Sequence, residues 1–303
     1  VVIFGTTGMV DVTDVYEVLN QKINDCRKPV FPVLPSIVLA AKEMERFKSH
    51  GRAYFTDESA LGKAIAKVYN RPKPASDFIS PAIDAEAVRN VIDNVQNGYL
   101  TPIEVQVLLD SAGINRAKEE IANSEVEIII CASKLNFPLV MKVVGPVHKS
   151  DVGGVALNIT SVSQLRETFR KMMEIEGAVA VMLQEMLSGT ELFAGVNFEP
   201  KVGHVILCGL GGVFIEVIKD ISSGLSPLNK DSAHDMIRSL IGYKIFAGVR
   251  GKEGISEEIF ADIIVRISAL LQVAPEIREM DMNPLLGRID SITAVDARIR
   301  IEK

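Results

Sequence analysis

Apolar runs and helical patterns alternate through the opening of the chain: "VVIF", "DVYEVLNQKI", "KPVFPVL", a helical stretch near 37–49, "GRAYFT", and a helical stretch near 58–69. Alternation of this kind builds a parallel sheet. About 75 residues are fewer than a doubly wound domain usually needs, so this part is expected to be the tail of one. "NRPKPASDFISP", residues 70–81, holds three prolines and no apolar period, the composition of an exposed connection. The expected organisation is therefore 1–75, a linker at 76–83, and a second domain over 84–303.

Past the linker, "DAEAVRNVIDNVQ" has helical spacing. "LTPIEVQVLLDSAGI" reads as a capped helix, with Thr101 three residues before Glu104, Pro102 at the first helical position and Gly113 beyond the end. In "SEVEIIICASKL", 124–135, three isoleucines favour a strand, whereas Ser124 as a cap and the length favour a helix, which is the expectation. Short β-rich runs then dominate: "PLVMKVV", "AVAVMLQEM", "ELFAGVNF", "HVILCGL" and "VFIEVIK", interrupted by a helix near 162–174. Helices are expected again at 230–241 and 256–272, where Ile259, Ile263, Ile267, Leu270 and Leu271 form one stripe. "IREMDMN" and "ITAVDARI" read as a closing hairpin around "PLLGRIDS".

Composition narrows the function classes. The 303 residues carry 33 Lys+Arg against 39 Asp+Glu, a net charge of −6, and so lack the basic footprint of a nucleic-acid binder. No apolar run approaches the roughly 20 residues that span a bilayer. Three cysteines at spacings matching neither a disulfide framework nor a metal cluster suggest a reducing compartment, and the cytoplasm is the expectation. A start inside an apolar β-branched run, without methionine, suggests a piece of a longer protein.

Several positions could carry chemistry, and each has a plainer reading. Lys142 is the only charge in "PLVMKVVGP": either a phosphate ligand or the solvent face of an edge strand. His148 and Lys149, followed by Gly153 and Gly154, could form a phosphate-cradling loop with a nucleophilic imidazole, or a surface turn. "GLGG", 209–212, could be a tight hairpin or a second phosphate loop, but no Gly-Lys-Ser/Thr follows to make a Walker motif. "MLQEM", 182–186, could end in a hinge that reads a base, or simply end at the surface. Asp281 and Asn283 share a strand face, and Asp296 from the partner strand can sit opposite; three hard oxygen donors there suit Mg²⁺, or else form an acidic solvent face.

The order of these signals along the chain resembles an ATP-grasp domain. "LVMKVVGPVHKSDVGGVAL", "LQEMLSGTELFAGV", "VILCGLGGVFIEVIKDIS", "MIRSL" and "EMDMNPL…AVDARI" resemble the ATP-grasp half of the NDP-forming acyl-CoA synthetases, relatives of succinyl-CoA synthetase, over roughly 84–301. The resemblance implies an α/β chain: the C-terminal part of a flavodoxin-like parallel-sheet CoA-ligase subdomain, followed by an ATP-grasp domain of two subdomains with antiparallel sheets.

It further implies a reaction, acid + CoA + ATP = acyl-CoA + ADP + phosphate, run through phosphohistidine. Lys142, Gly153, Gly154, Gln184, Glu185, Met186, Glu191, Gly211 and Gly212 would bind nucleotide, with Gln184 to Met186 as the adenine hinge. Asp281, Asn283 and Asp296 would hold Mg²⁺, and Asp281 would also meet the phosphohistidine. His148 matches the second phosphoryl carrier of some members, though "VVGPVHKSD" has one residue fewer before the histidine than the common pattern. CoA and a small carboxylic acid would bind through an upstream half, so that this chain alone is incomplete and belongs to an oligomer. Two alternatives stand beside this: the synthetase-like region of a protein acetyltransferase, and a non-catalytic nucleotide-binding subunit.

Overall fold

The computed structural model describes residues 1–3, 13–34, 41–69, 80–145, 153–212, 219–248, 251 and 253–303. The chain divides into two compact units, Val1–Pro74 and Ala75–Lys303.

In the first unit, β1 (Val2–Ile3) and β2 (Pro32–Val33) pair in parallel, and Val33 makes a further parallel bridge to Phe55. Helices α1 (Thr13–Asp25), α2 (Ala41–Ser49) and α3 (Glu58–Tyr69) accompany them. Tyr16, Leu19, Leu34, Met44 and Phe47 form its small core, with Tyr16 edge-on to Phe47. Parallel pairing is what the strand–helix alternation predicts.

The second unit opens with α4 (Ala85–Asn94), β3 (Gly98–Tyr99) and α5 (Pro102–Ser111). Helix α5 begins as expected: the Glu104 N–H donates to Thr101 Oγ1, and the Thr101 N–H donates to Glu104 Oε2 at 2.6 Å. It stops at Gly113, whose φ of +69° only glycine adopts cheaply and whose Cβ, if present, would sit 2.4 Å from Arg266 Nη1. Next come β4 (Glu119–Ala122) and α6 (Glu125–Ala132). The isoleucine run is helical because Ser124 caps the Glu127 N–H and a helix can bury Ile128 fully while Ile130 faces out.

Strands β5 (Leu139–Val144), β6 (Val155–Ile159) and β7 (Ala180–Glu185), with helix α7 (Val162–Met173), complete a four-stranded antiparallel sheet in the order β4-β7-β5-β6. One face packs Leu139, Met141, Val181 and Leu183 against α6 and α7. The other face carries the alternate residues, among them Lys142 and Gln184.

A seven-stranded antiparallel sheet follows, from β8 (Thr190–Glu199), β9 (Gly203–Leu210), β10 (Ile221–Leu225), β11 (Ile277–Gly287), β12 (Ile292–Ala294), β13 (Ala297–Ile301) and β3, in the order β10-β9-β8-β11-β13-β3 with β12 on β11. Helices α8 (Lys230–Arg238) and α9 (Glu257–Val273) supply much of its core, including the fully buried Phe260, Ile264, Ile267 and Leu270.

The closing hairpin differs from expectation. "PLLG" continues strand β11, because Leu285, Leu286 and Gly287 pair with Leu192, Glu191 and Thr190 of β8 and with β12 on the other side. The reversal is tighter and later, with the Arg288 N–H donating to Ser291 O at 2.8 Å. A register shift between Met282 and Leu285 accommodates Pro284, which has no N–H to offer a ladder. The returning strand breaks at Val295-Asp296, between β12 and β13. Residues 146–152 and 213–218, which include His148 and most of "VFIEVIK", lie outside the described residues.

Candidate functional site: the face between the two sheets

Lys142 sits mid-strand on β5, 7% exposed, and its Nζ donates to the Val295 carbonyl at 2.8 Å. Gln184, fully buried on β7, donates from Nε2 to the same carbonyl at 2.9 Å and to Glu119 Oε1 at 2.7 Å. Two side chains of the four-stranded sheet thus grip the break in the seven-stranded one. The Gln184 Oε1 is buried and has no hydrogen-bond partner among the described residues.

Glu119, opposite Gln184 on β4, also accepts from Gln106 Nε2 of α5 at 2.9 Å. Burial pushes its carboxyl above the usual range, opposed by the Gln106 hydrogen bond and by the charges of Lys142 and Arg116.

On the seven-stranded sheet, Asp281 and Asn283 point away from the core face that Met280 and Met282 occupy. Asp281 lies opposite Arg298 of β13. The Asn283 N–H donates to Asp296 O at 3.2 Å, and the Val295 N–H to Pro284 O at 3.0 Å, so the Asp296 backbone lies across from Asn283. Burial pushes the Asp281 carboxyl upward, Arg298 opposes this, and the charges of Asp296 and Glu279 add to it. A cavity of about 170 Å³ borders this region, lined by Arg116, Glu119, Val144, Met182, Asp296 and Arg298 among others.

Gly154 is held beside the lysine strand, its carbonyl accepting the Val143 N–H at 2.8 Å; Gly153, with φ +69°, is exposed. Glu191, Gly211 and Gly212 meet where β8 begins and β9 ends: the Gly211 N–H donates to Glu191 O at 2.8 Å, and any Cβ on Gly212 would lie 1.9 Å from Glu191 Oε2. "GLGG" therefore runs out of β9 beside Glu191. Glu185 Oε1 accepts from Asn136 N at 3.0 Å and Asn136 Nδ2 at 2.9 Å. The Met186 N–H is taken by Pro138 O at 3.0 Å, while its side chain is exposed.

Sequence reasoning passed over Glu119, Gln106, Arg116 and Arg298. No motif marks them; an apolar pattern says only that a polar side chain interrupts it, and here tertiary pairing decides its partner.

Among the described residues no group of three or more His, Cys, Asp and Glu is gathered for a metal. Asp281, Asn283 and Asp296, on adjacent strands, offer two carboxylates and an amide. That chemistry suits a hard dication that takes its remaining ligands from water and phosphate, and a nearby cation would oppose the upward push that burial and neighbouring carboxylates give the Asp281 carboxyl.

Residues 92–301 match the ATP-grasp domain family. Over 223 residues the chain is 36% identical to the beta subunit of acetate–CoA ligase [ADP-forming] I from Pyrococcus furiosus, covering 70% of this chain and 96% of that subunit. It is 37% identical over 232 residues to 4-hydroxybutyrate–CoA ligase [ADP-forming] from Nitrosopumilus maritimus, covering 72% of this chain and 33% of that longer protein. Among solved structures, the dinucleotide-forming acetyl-coenzyme A synthetase 1 of Ca. Korarchaeum cryptofilum, in complex with coenzyme A and Ca-AMPCP, superposes with a TM-score of 0.66 at 33% identity, covering 72% of this chain and all of that one.

Proposed function

Given that this chain belongs to the ATP-grasp family, as the nucleotide-binding half of the ADP-forming acyl-CoA ligases, we propose that it holds a magnesium-bound adenine nucleotide between its two sheets and serves phosphoryl transfer in the activation of a small carboxylic acid. The observation that carries this reading is the meeting of Lys142 and Gln184 with the Val295 carbonyl, immediately beside Asp296. Cation and hard-oxygen donors from different sheets converge there, as a phosphate–metal pair requires.

Lys142 offers an ammonium to the phosphates in a setting where burial strengthens the attraction. Asp281, Asn283 and Asp296 would hold Mg²⁺, which when bound would neutralise phosphate charge. Gly211 and Gly212 would cover the phosphates, at a bend where a Cβ would strike Leu192 O or Glu191 Oε2 of β8. His148 is the proposed acceptor: an imidazole nitrogen attacks the terminal phosphorus, the bond to the bridging oxygen breaks, and ADP leaves. A carboxylate oxygen of the acid then takes the phosphoryl group, and the CoA thiol displaces phosphate from the acyl phosphate, with CoA and acid held by a partner half. We place the reaction in the cytoplasm.

Calorimetric titration with ADP should show binding that tightens with Mg²⁺, and absence of both would sink the proposal. With the partner half supplied, γ-labelled ATP should leave acid-labile label on the wild type and less on His148→Ala; equal labelling would remove His148 from the path.

A further inference from the structure

This inference rests on the nucleotide-and-metal reading above and deepens it. We propose that Gln184 is a positioning residue for the metal ligand Asp296, acting through the Val295 carbonyl, and that Glu119 orients it for that task.

Gln184 has no exposed surface, so it can touch no ligand without rearrangement. Two oxygens, Glu119 Oε1 and Val295 O, face its amide nitrogen and take both hydrogens. Its own oxygen is left without a partner among the described residues, which is unfavourable at a buried site. An apolar side chain of similar size would avoid that cost. What justifies an amide here is the work of its two donors.

That work is to fix a short break in a strand. The Val295 N–H is held by Pro284 O, the Asp296 carbonyl receives the Asn283 N–H, and the Val295 carbonyl receives Gln184 and Lys142. The backbone on either side of the Asp296 Cα is thus tied, and two of the ties cross from the other sheet. Lys142 has phosphates to serve when nucleotide enters. Gln184 has none, and remains as the constant strap. Glu119 keeps the amide turned toward Val295, and is itself held by Gln106. Groups that orient metal ligands in this indirect way typically matter by about 10- to 100-fold in metal affinity.

The test uses the whole chain, with Mn²⁺ titrated at fixed ADP and bound metal read by electron paramagnetic resonance, beside calorimetry of ADP without divalent ions. Gln184→Met should raise the half-saturating Mn²⁺ by about 10-fold or more, and by clearly more than it weakens metal-free ADP binding. Should that variant fold poorly, Glu119→Leu serves instead: it releases Gln184 and should shift the Mn²⁺ curve the same way. Glu119→Gln, which keeps an accepting oxygen, should recover most of that loss. An unchanged Mn²⁺ curve in folded Gln184→Met, or equal weakening with and without metal, overturns the proposal. Wild-type protein that binds no ADP at all overturns the reading beneath it instead.

Discussion

The two sheets of the second unit divide the site between them. In the proposed site the four-stranded sheet supplies the ammonium of Lys142 and the amide of Gln184, the latter held by Glu119 on the same face; the seven-stranded sheet supplies the Val295 carbonyl and the proposed ligands Asp281, Asn283 and Asp296. Neither set makes a nucleotide site alone. On the proposed reading, the Lys142 ammonium alone would attract any anion and the carboxylates alone would hold a cation weakly, so preference for a metal-bound phosphate would arise only where the sheets meet.

Large-to-small substitutions in the two cores would test whether the sheets stand as one unit. Phe260→Ala, under the large sheet, should cost about 3–5 kcal/mol, and Leu183→Ala, under the small one, about 2–5 kcal/mol. Both should move a single denaturant transition; two separated transitions would break the picture of sheets that fold together.

Smaller effects should separate donors from acceptors. Lys142→Met should weaken ADP binding by about 10- to 100-fold with or without Mg²⁺, since a charged hydrogen bond is lost either way. Asp296→Asn should weaken it chiefly when metal is present. If both variants responded identically to metal, the division of labour would be wrong.

Arg298 offers a finer probe. It counteracts the burial that pushes the Asp281 carboxyl up, so Arg298→Gln should raise that carboxyl further. Metal-dependent ADP binding, which needs the ionised form, should then set in at higher pH than in the wild type. An unshifted pH profile would show that Asp281 is not a ligand.

Glu119 gives the smallest and most local effect. Its folded-state pKa is raised, so its protonated form favours the folded chain; that contribution is present below the unfolded-state value and lost as pH rises through the folded one. Glu119→Gln should therefore gain on the wild type in unfolding midpoint as pH rises from acid towards neutral, and parallel curves would refute the burial argument.

Much of this was legible before any coordinates. Helical spacing marks α4 and α9 of the second unit, and caps mark the starts of α5 at Thr101 and of α6 at Ser124, where the isoleucine run by itself favours a strand. The parity of Asp281 and Asn283 places them on one face without further information. The hairpin was misjudged because "PLLG" looks like a turn locally, and only the β8 edge waiting to pair with Leu285 and Leu286 makes it strand. For Gln184 the sequence shows only a polar residue at the end of an apolar run; the carbonyl its side chain meets is set by how the two sheets pack.

By itself the sequence determined the family, the elements and the candidate ligands, because periodicity, capping and motif order are properties of neighbouring residues. Tertiary structure alone decided that Lys142 and Gln184 share the Val295 carbonyl, that Glu119 backs the glutamine and that Arg298 faces Asp281. Those pairings join positions more than a hundred residues apart, or set a strand register, and both depend on how sheets close over a common face rather than on any local preference.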